Sequence, residues 1–126
     1  MDRRESEEPG AVFDVQELLD RCLGNVEFAE RILEKFLLRF DVDLAEMEQA
    51  AMGEDPEFIA RVAHRLKGAS AAAAAHGLQE RTAEIEELAV QRCTSDIPER
   101  LKDLRSEWSR FAECARLSGL PSDSGF

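Results

Sequence analysis

The chain has 126 residues, a length that suits one domain and leaves no room for separate catalytic and regulatory halves. Apolar residues make up 44%, dominated by Ala and Leu with few β-branched residues, a usage that favours helices over a large sheet. The formal charge of -11 disfavours nucleic-acid or anionic-membrane surfaces, which need positive fields.

Residues 1–12 are polar and end in Pro9-Gly10, and residues 118–126 are rich in Gly, Pro and Ser. Both read as mobile tails around a folded domain spanning 13–117. The first helix starts at Phe13-Asp14-Val15-Gln16-Glu17-Leu18. Asp14 can cap, Glu17 occupies the third helical position, and Phe13 and Leu18 can form a hydrophobic staple. Gly24 ends it. Asn25 can cap a long second helix whose apolar stripe runs Phe28, Ile32, Phe36, Phe40, Leu44 and Met47, widened by Leu33 and Leu37, until Gly53 stops it. Asp55-Pro56 opens a third helix, a capping carboxylate followed by a proline at the position where its missing N–H is not needed. That helix should end between Ala74 and Gly77. A fourth carries the seam Leu78, Thr82, Ile85 and Ala89. The fifth, begun by Ser95, Asp96 and Pro98, carries Ile97, Leu101, Leu104, Trp108, Phe111 and Ala115 at alternating spacings of four and three. Short connections between amphipathic helices of this length predict an all-α protein, an up-down four-helix bundle with an additional short N-terminal helix.

No stretch approaches the roughly 18 consecutive apolar residues of a membrane span, and Met1 to Glu8 carries charges of both signs, so the protein is expected to be cytoplasmic. Met1 and the polar tails suggest a stand-alone chain, but a domain excised from a longer protein would read the same way. Cys22, Cys93 and Cys114 are odd in number and far apart, which fits neither a disulfide framework nor a Cys-x-x-Cys pair.

The third helix holds the informative residues. Wound at about 100° per residue from His64, it places Ile59, Val62, Leu66, Ala69 and Ala73 between roughly 140° and 220°, the core stripe. Ala60, Gly68, Ala71 and Ala75 then lie within about 40° of His64, with Arg61 and Lys67 about 60° to either side. The histidine points to water from a strip of side chains no larger than methyl. Glycine inside a helix costs about 1 kcal/mol relative to Ala, so Gly68 wants a reason, and clearing space for something bulky on or against His64 supplies one. An exposed imidazole with the reference pKa near 6.5 is about three-quarters neutral at pH 7 and is a competent nucleophile. A phosphoryl group on it brings close to two negative charges, which Lys67 and Arg61, with Arg65 further round, are placed to offset.

The run Ala63-His64-Arg65-Leu66-Lys67-Gly68-Ala69-Ser70 resembles the signature of histidine-containing phosphotransfer (HPt) domains, helical modules that relay phosphoryl groups between aspartates of response-regulator receiver domains. The resemblance covers about residues 12–117, taking in Val12-Phe13-Asp14, the long second helix, Asp55-Pro56 and Leu78 through Glu86. It implies that His64 accepts and donates the phosphoryl group, that Lys67 supports its charge, that Gly68 leaves room for it, and that Ala63 and Leu66 pack inward. The sequence departs from the family where an Asn and then a Gly often follow this helix: Ala72 and Ala74 stand there, with His76-Gly77 slightly later. His76 falls near 120° on the wheel and reads as a structural helix-end histidine.

A Gly-rich phosphate loop, a Walker pattern and a kinase signature are missing from the sequence, so the expected role is a phosphocarrier without kinase activity of its own. The resemblance implies receiver domains and a sensor or hybrid histidine kinase as partners, with Mg²⁺ and the acceptor aspartate supplied by the receiver and no cofactor bound by this chain. The partner surface is expected to centre on Ala60, Arg61, His64, Arg65, Lys67, Gly68, Ala71 and Ala75, and the chain to be a monomer that binds neither nucleic acid nor membrane. The rival reading is a helical docking module using the same strip without phosphoryl chemistry. A di-iron carboxylate bundle is disfavoured, because it needs paired Glu-x-x-His motifs and the residues three before His64 and His76 are Arg61 and Ala73.

Overall fold

The computed structural model describes residues 14–120, so the expected tail over 1–12, all but the first three residues of the expected tail over 118–126, and Phe13 of the staple lie outside the described residues. Among these residues five α-helices follow one another: α1 (Val15–Arg21), α2 (Val26–Met52), α3 (Pro56–Ala72), α4 (His76–Val90) and α5 (Ile97–Ser118), the last entered through a 3₁₀ turn at Thr94–Asp96. No strand occurs among the described residues. Each long helix packs on the next and α5 returns to α2, which closes a four-helix bundle, while the short α1 leans on α2.

Local chemistry starts the first three helices where the sequence predicts. The carboxylate of Asp14 accepts the Glu17 N–H at 3.0 Å, the Asn25 side chain accepts from Phe28 N–H at 3.0 Å, and Asp55 accepts from Phe58 N–H at 3.2 Å. Each satisfies an N–H that the first turn leaves unpaired.

The helix ends are less expected. After α1 two left-handed residues follow in turn, Leu23 (φ 56°) and the expected Gly24 (φ 78°), whereas after α2 the left-handed residue is Glu54 (φ 54°), one position past the expected Gly53. Helix α3 ends in the same way with Ala74 (φ 60°), where Ala74 N–H reaches Ala71 C=O at 3.1 Å and Ala75 N–H reaches Ser70 C=O at 2.8 Å. These are the paired bonds of a Schellman turn. They stop α3 at Ala72, two to five residues before the expected limit. At the other end of the domain α5 runs to Ser118 and Leu120 is buried, so the ordered fold passes the expected boundary at 117.

The seams of α4 and α5 are buried throughout: Leu78, Thr82, Ile85 and Ala89 on one, Ile97, Leu101, Leu104, Trp108, Phe111 and Ala115 on the other. On α2 the stripe holds from Leu33 and Phe36 to Met47, but Phe28 is exposed, and Ala29 is buried in its place. An aromatic cluster locks α2 to α5, with Phe40 stacked on Trp108 at 4.3 Å between ring centroids and Phe36 edge-on to Phe111 at 5.4 Å. Such ring pairs add to area burial through quadrupole alignment. With Ile59, Val62, Ala63 and Leu66 of α3 turned into this core, the opposite face of α3 is left to solvent.

Candidate functional site

His64 stands on that face with 70% of its side chain exposed. Its Nδ1 lies 2.9 Å from Oε2 of Glu86 on α4, and the other carboxylate oxygen, Oε1, accepts from Lys67 Nζ at 2.7 Å. One carboxylate thus serves two neighbours on α3. The hydrogen bond from Lys67 holds the Glu86 carboxyl below its ordinary value, helped by His64 and opposed by partial burial. An ionised carboxylate can only accept, so the shared proton sits on Nδ1. In the neutral ring this tautomer puts the lone pair on Nε2, the atom away from Glu86.

Gly68 lies one turn on. A Cβ built there meets no atom within 4 Å, and its φ is not left-handed, so neither packing nor backbone geometry within the chain requires glycine. What its missing side chain provides is open space beside the imidazole. Ala60 and Ala71 are half-buried and continue the bare strip. Ala75 does not: helical winding puts it on the strip, but α3 has ended, and Ala75 is fully buried as the residue preceding α4. His76 is likewise not at the end of α3. It is the first residue of α4, with Nε2 2.7 Å from Oε1 of Glu17, and this bond lowers the Glu17 carboxyl below its ordinary range.

The three cations expected around His64 are arranged differently from one another. Lys67 is tied to the ring through Glu86. Arg61 lies over the Phe58 ring at 5.5 Å from its centroid, a cation–π contact directed back along α3. Arg65 turns towards α2, where Nη2 donates to Asp43 at 3.1 Å, and Asp43 also pairs with Arg39 at 3.3 Å. Lys67 is therefore the cation closest in connection to the imidazole.

Glu86 and Asp43 are the site residues that sequence reasoning does not single out. Asp43 leaves a trace, a carboxylate on the buried stripe of α2 between Phe40 and Leu44. Glu86 leaves a fainter one, sitting four residues after the buried Thr82 on the edge of the α4 seam. Among the described residues no group of three or more His, Cys, Asp or Glu side chains could hold a metal ion, and no helix is long and apolar enough to cross a membrane. The arrangement offers a solvent-facing nitrogen nucleophile, a carboxylate to balance charge developing on its ring, and a lysine within reach of the same carboxylate. The family model described as the Hpt domain matches residues 31–117. No curated protein matches the chain, and no solved structure does.

Proposed function

The chain belongs to the Hpt domain family, whose members carry phosphoryl groups in phosphorelays without kinase activity of their own, and we propose that His64 is the residue that carries the group here. The observation that bears most weight is the Glu86 bond to Nδ1, which leaves Nε2 with its lone pair at an exposed position beside the space at Gly68.

In the forward step Nε2 attacks the phosphorus of an aspartyl phosphate on a receiver domain. The P–O bond to the aspartate breaks as the N–P bond forms, and the carboxylate leaves on the receiver. The proton stays on Nδ1, so the ring becomes positively charged while Glu86 remains opposite it. Transfer to a second aspartate reverses these changes. Phosphoryl transfer asks little of the protein beyond an in-line nucleophile and neutralised charge. Lys67 is the residue we assign to the phosphoryl oxygens, Gly68 provides their room, and Arg61 adds to the positive field. Ala60, Arg65 and Ala71 border the contact with the receiver, which brings the Mg²⁺ and the acceptor aspartate.

Hpt domains partner with receiver and kinase domains. For this chain the reading extends to a cytoplasmic monomer that binds neither nucleic acid nor membrane, supported by the net charge of -11. The test is phosphorus NMR of the wild type and of His64→Gln after exposure to a phosphoramidate donor and to a phosphorylated receiver domain. A phosphohistidine signal confined to the wild type is expected. Label retained in His64→Gln sinks the residue assignment, and a folded wild type that binds receivers but takes up no label supports the docking-module reading instead.

A further inference from the structure

On the far side of α4 from the core of α3, a second group of charges converges. Glu107 of α5 is buried, and it lies so deep because Gly77, at the start of α4, has no Cβ to fill the space that its Oε2 occupies. The other oxygen, Oε1, faces two guanidinium groups. Arg110, three residues on along α5, donates from Nη2 at 2.9 Å, and Arg81 reaches across from α4 with its Nε at 3.5 Å.

The two cations have capacity to spare. The Arg81 Nε is shut off from water yet makes no hydrogen bond, one of two such buried side-chain atoms among the described residues, and a buried donor without an acceptor bears its desolvation cost uncompensated. One carboxylate between two guanidinium groups also leaves a positive charge unbalanced. In a chain of net charge -11, this is a local inversion of sign.

Both arginines line a cavity of about 660 Å³ between α4 and α5, well inside the roughly 300–1,000 Å³ of small-molecule sites. The rest of its wall is hydrophilic. Ser106 and Ser109 bring hydroxyls and Asp103 an exposed carboxylate. Arg105 borders the same space, but Glu48 and Asp41 hold its guanidinium to α2. With no aliphatic or aromatic side chain in the lining, an apolar ligand finds no surface to bury against.

We propose that this cavity binds a small phosphate monoester, its phosphoryl oxygens bridging Arg81 and Arg110 and its hydroxyl-bearing remainder lying against Asp103 and the two serines. Guanidinium forks match phosphoryl oxygens in geometry, and a phosphoryl group has enough oxygens for two forks where a carboxylate is used up by one. The anion balances the charge that Glu107 leaves over and gives the Arg81 Nε–H an acceptor. Asp103 can only accept, so it addresses the hydroxyls of the ester and not its phosphate. Glu107 acts as a positioning residue, holding the two forks towards one point. None of these side chains belongs to the His64 site, and the inference stands apart from the phosphoryl-carrier reading.

The test titrates glycerol 3-phosphate into the intact ¹⁵N-labelled chain and follows the backbone amides and the arginine Nε–H signals by NMR. The Arg81 Nε–H and the amides of residues 106–110 should shift together to saturation, and inorganic phosphate should bind at least about threefold more weakly. Arg81→Gln and Arg110→Gln should each weaken binding about tenfold, whereas Lys35→Gln, which removes one positive charge from α2, should match the wild type. Arg110 is the more exposed of the two arginines, so its variant decides the matter if Arg81→Gln does not fold. No saturation by about 10 mM ester overturns the proposal. Shifts confined to the amides around His64 and Lys67 do so as well, as does an equal weakening in Lys35→Gln. Inorganic phosphate binding as tightly as the ester overturns the assignment of the ester's hydroxyl-bearing part.

Discussion

Glu86→Gln keeps the length of the side chain and one acceptor oxygen for His64 Nδ1–H while removing the negative charge. As the N–P bond forms, the ring takes on imidazolium character and part of its charge appears at Nδ1, 2.9 Å from the carboxylate. Coulomb's law at that separation gives about 1.4 kcal/mol in the dielectric of water and about 6 kcal/mol at an effective dielectric near 20. With 70% of the His64 side chain exposed, the watery end of that range applies. A loss of about 1–2 kcal/mol of transition-state stabilisation slows acceptance about 5- to 30-fold. The substitution also frees Lys67, which then reaches the phosphoryl oxygens more readily, so the sign of the change decides which duty of Glu86 dominates. The assay is the rate of phosphohistidine formation from a phosphoramidate over a range of donor concentrations, with circular dichroism to establish that the helices are intact. A rate within twofold of wild type, or a faster one, refutes the role of the carboxylate in balancing the ring.

Gly68→Gln should slow transfer from a receiver about tenfold or more and leave thermal stability unchanged or higher by up to about 1 kcal/mol, since glycine is a poor helix former; wild-type transfer in a folded variant removes its steric role. The Glu86 carboxyl is held below its ordinary 4.5, so its stabilisation is complete above that unfolded value and is lost as pH falls through the lower folded one. Urea denaturation of Glu86→Gln should therefore show a flatter acid limb below about pH 4.5 than the wild type, and parallel limbs contradict this. A Cβ at Gly77 would overlap the carboxylate of Glu107, which is 95% buried and paired with Arg110 at 2.9 Å. Gly77→Ala should cost about 1–3 kcal/mol, read as a lowered melting temperature, because that buried carboxylate must shift against its arginine partners, Arg81 and Arg110. Glu54→Gly relieves a left-handed glutamate and should stabilise by about 0.5–1 kcal/mol; an unchanged or lower melting temperature argues against strain there.

The start of α1, α2 and α3 was legible because Asp14, Asn25 and Asp55 act within one turn of themselves, and a local bond leaves a local pattern. The seams of α4 and α5 were legible because burial repeats with the helix period. The end of α3 was hidden in the alanine run 71–75: every residue there favours a helix, and the chain leaves it through a left-handed alanine where a glycine would have marked the turn. That early stop removed Ala75 from the strip and moved His76 to α4. His64, Lys67 and Gly68 could be read together because they share one helix. Glu86 and Asp43 join them across space, and the rotation of a neighbouring helix about its own axis is fixed by packing that one helix's periodicity does not contain.

The flanking ion pairs of α3 pull in opposite directions around its axis. Lys67 is moored to α4 through Glu86 and Arg65 to α2 through Asp43, with His64 between the two moorings. A roll of α3 that shortened one would stretch the other, so the helix resists torsion in both senses. The imidazole consequently keeps its bearing before any partner arrives, and the orientational entropy that two encountering proteins must surrender falls mainly on the visitor. A carrier that serves more than one partner gains from this: each finds the same nitrogen at the same azimuth, and differences in transfer rate among partners then report how well each of them fits, rather than how the carrier readjusts.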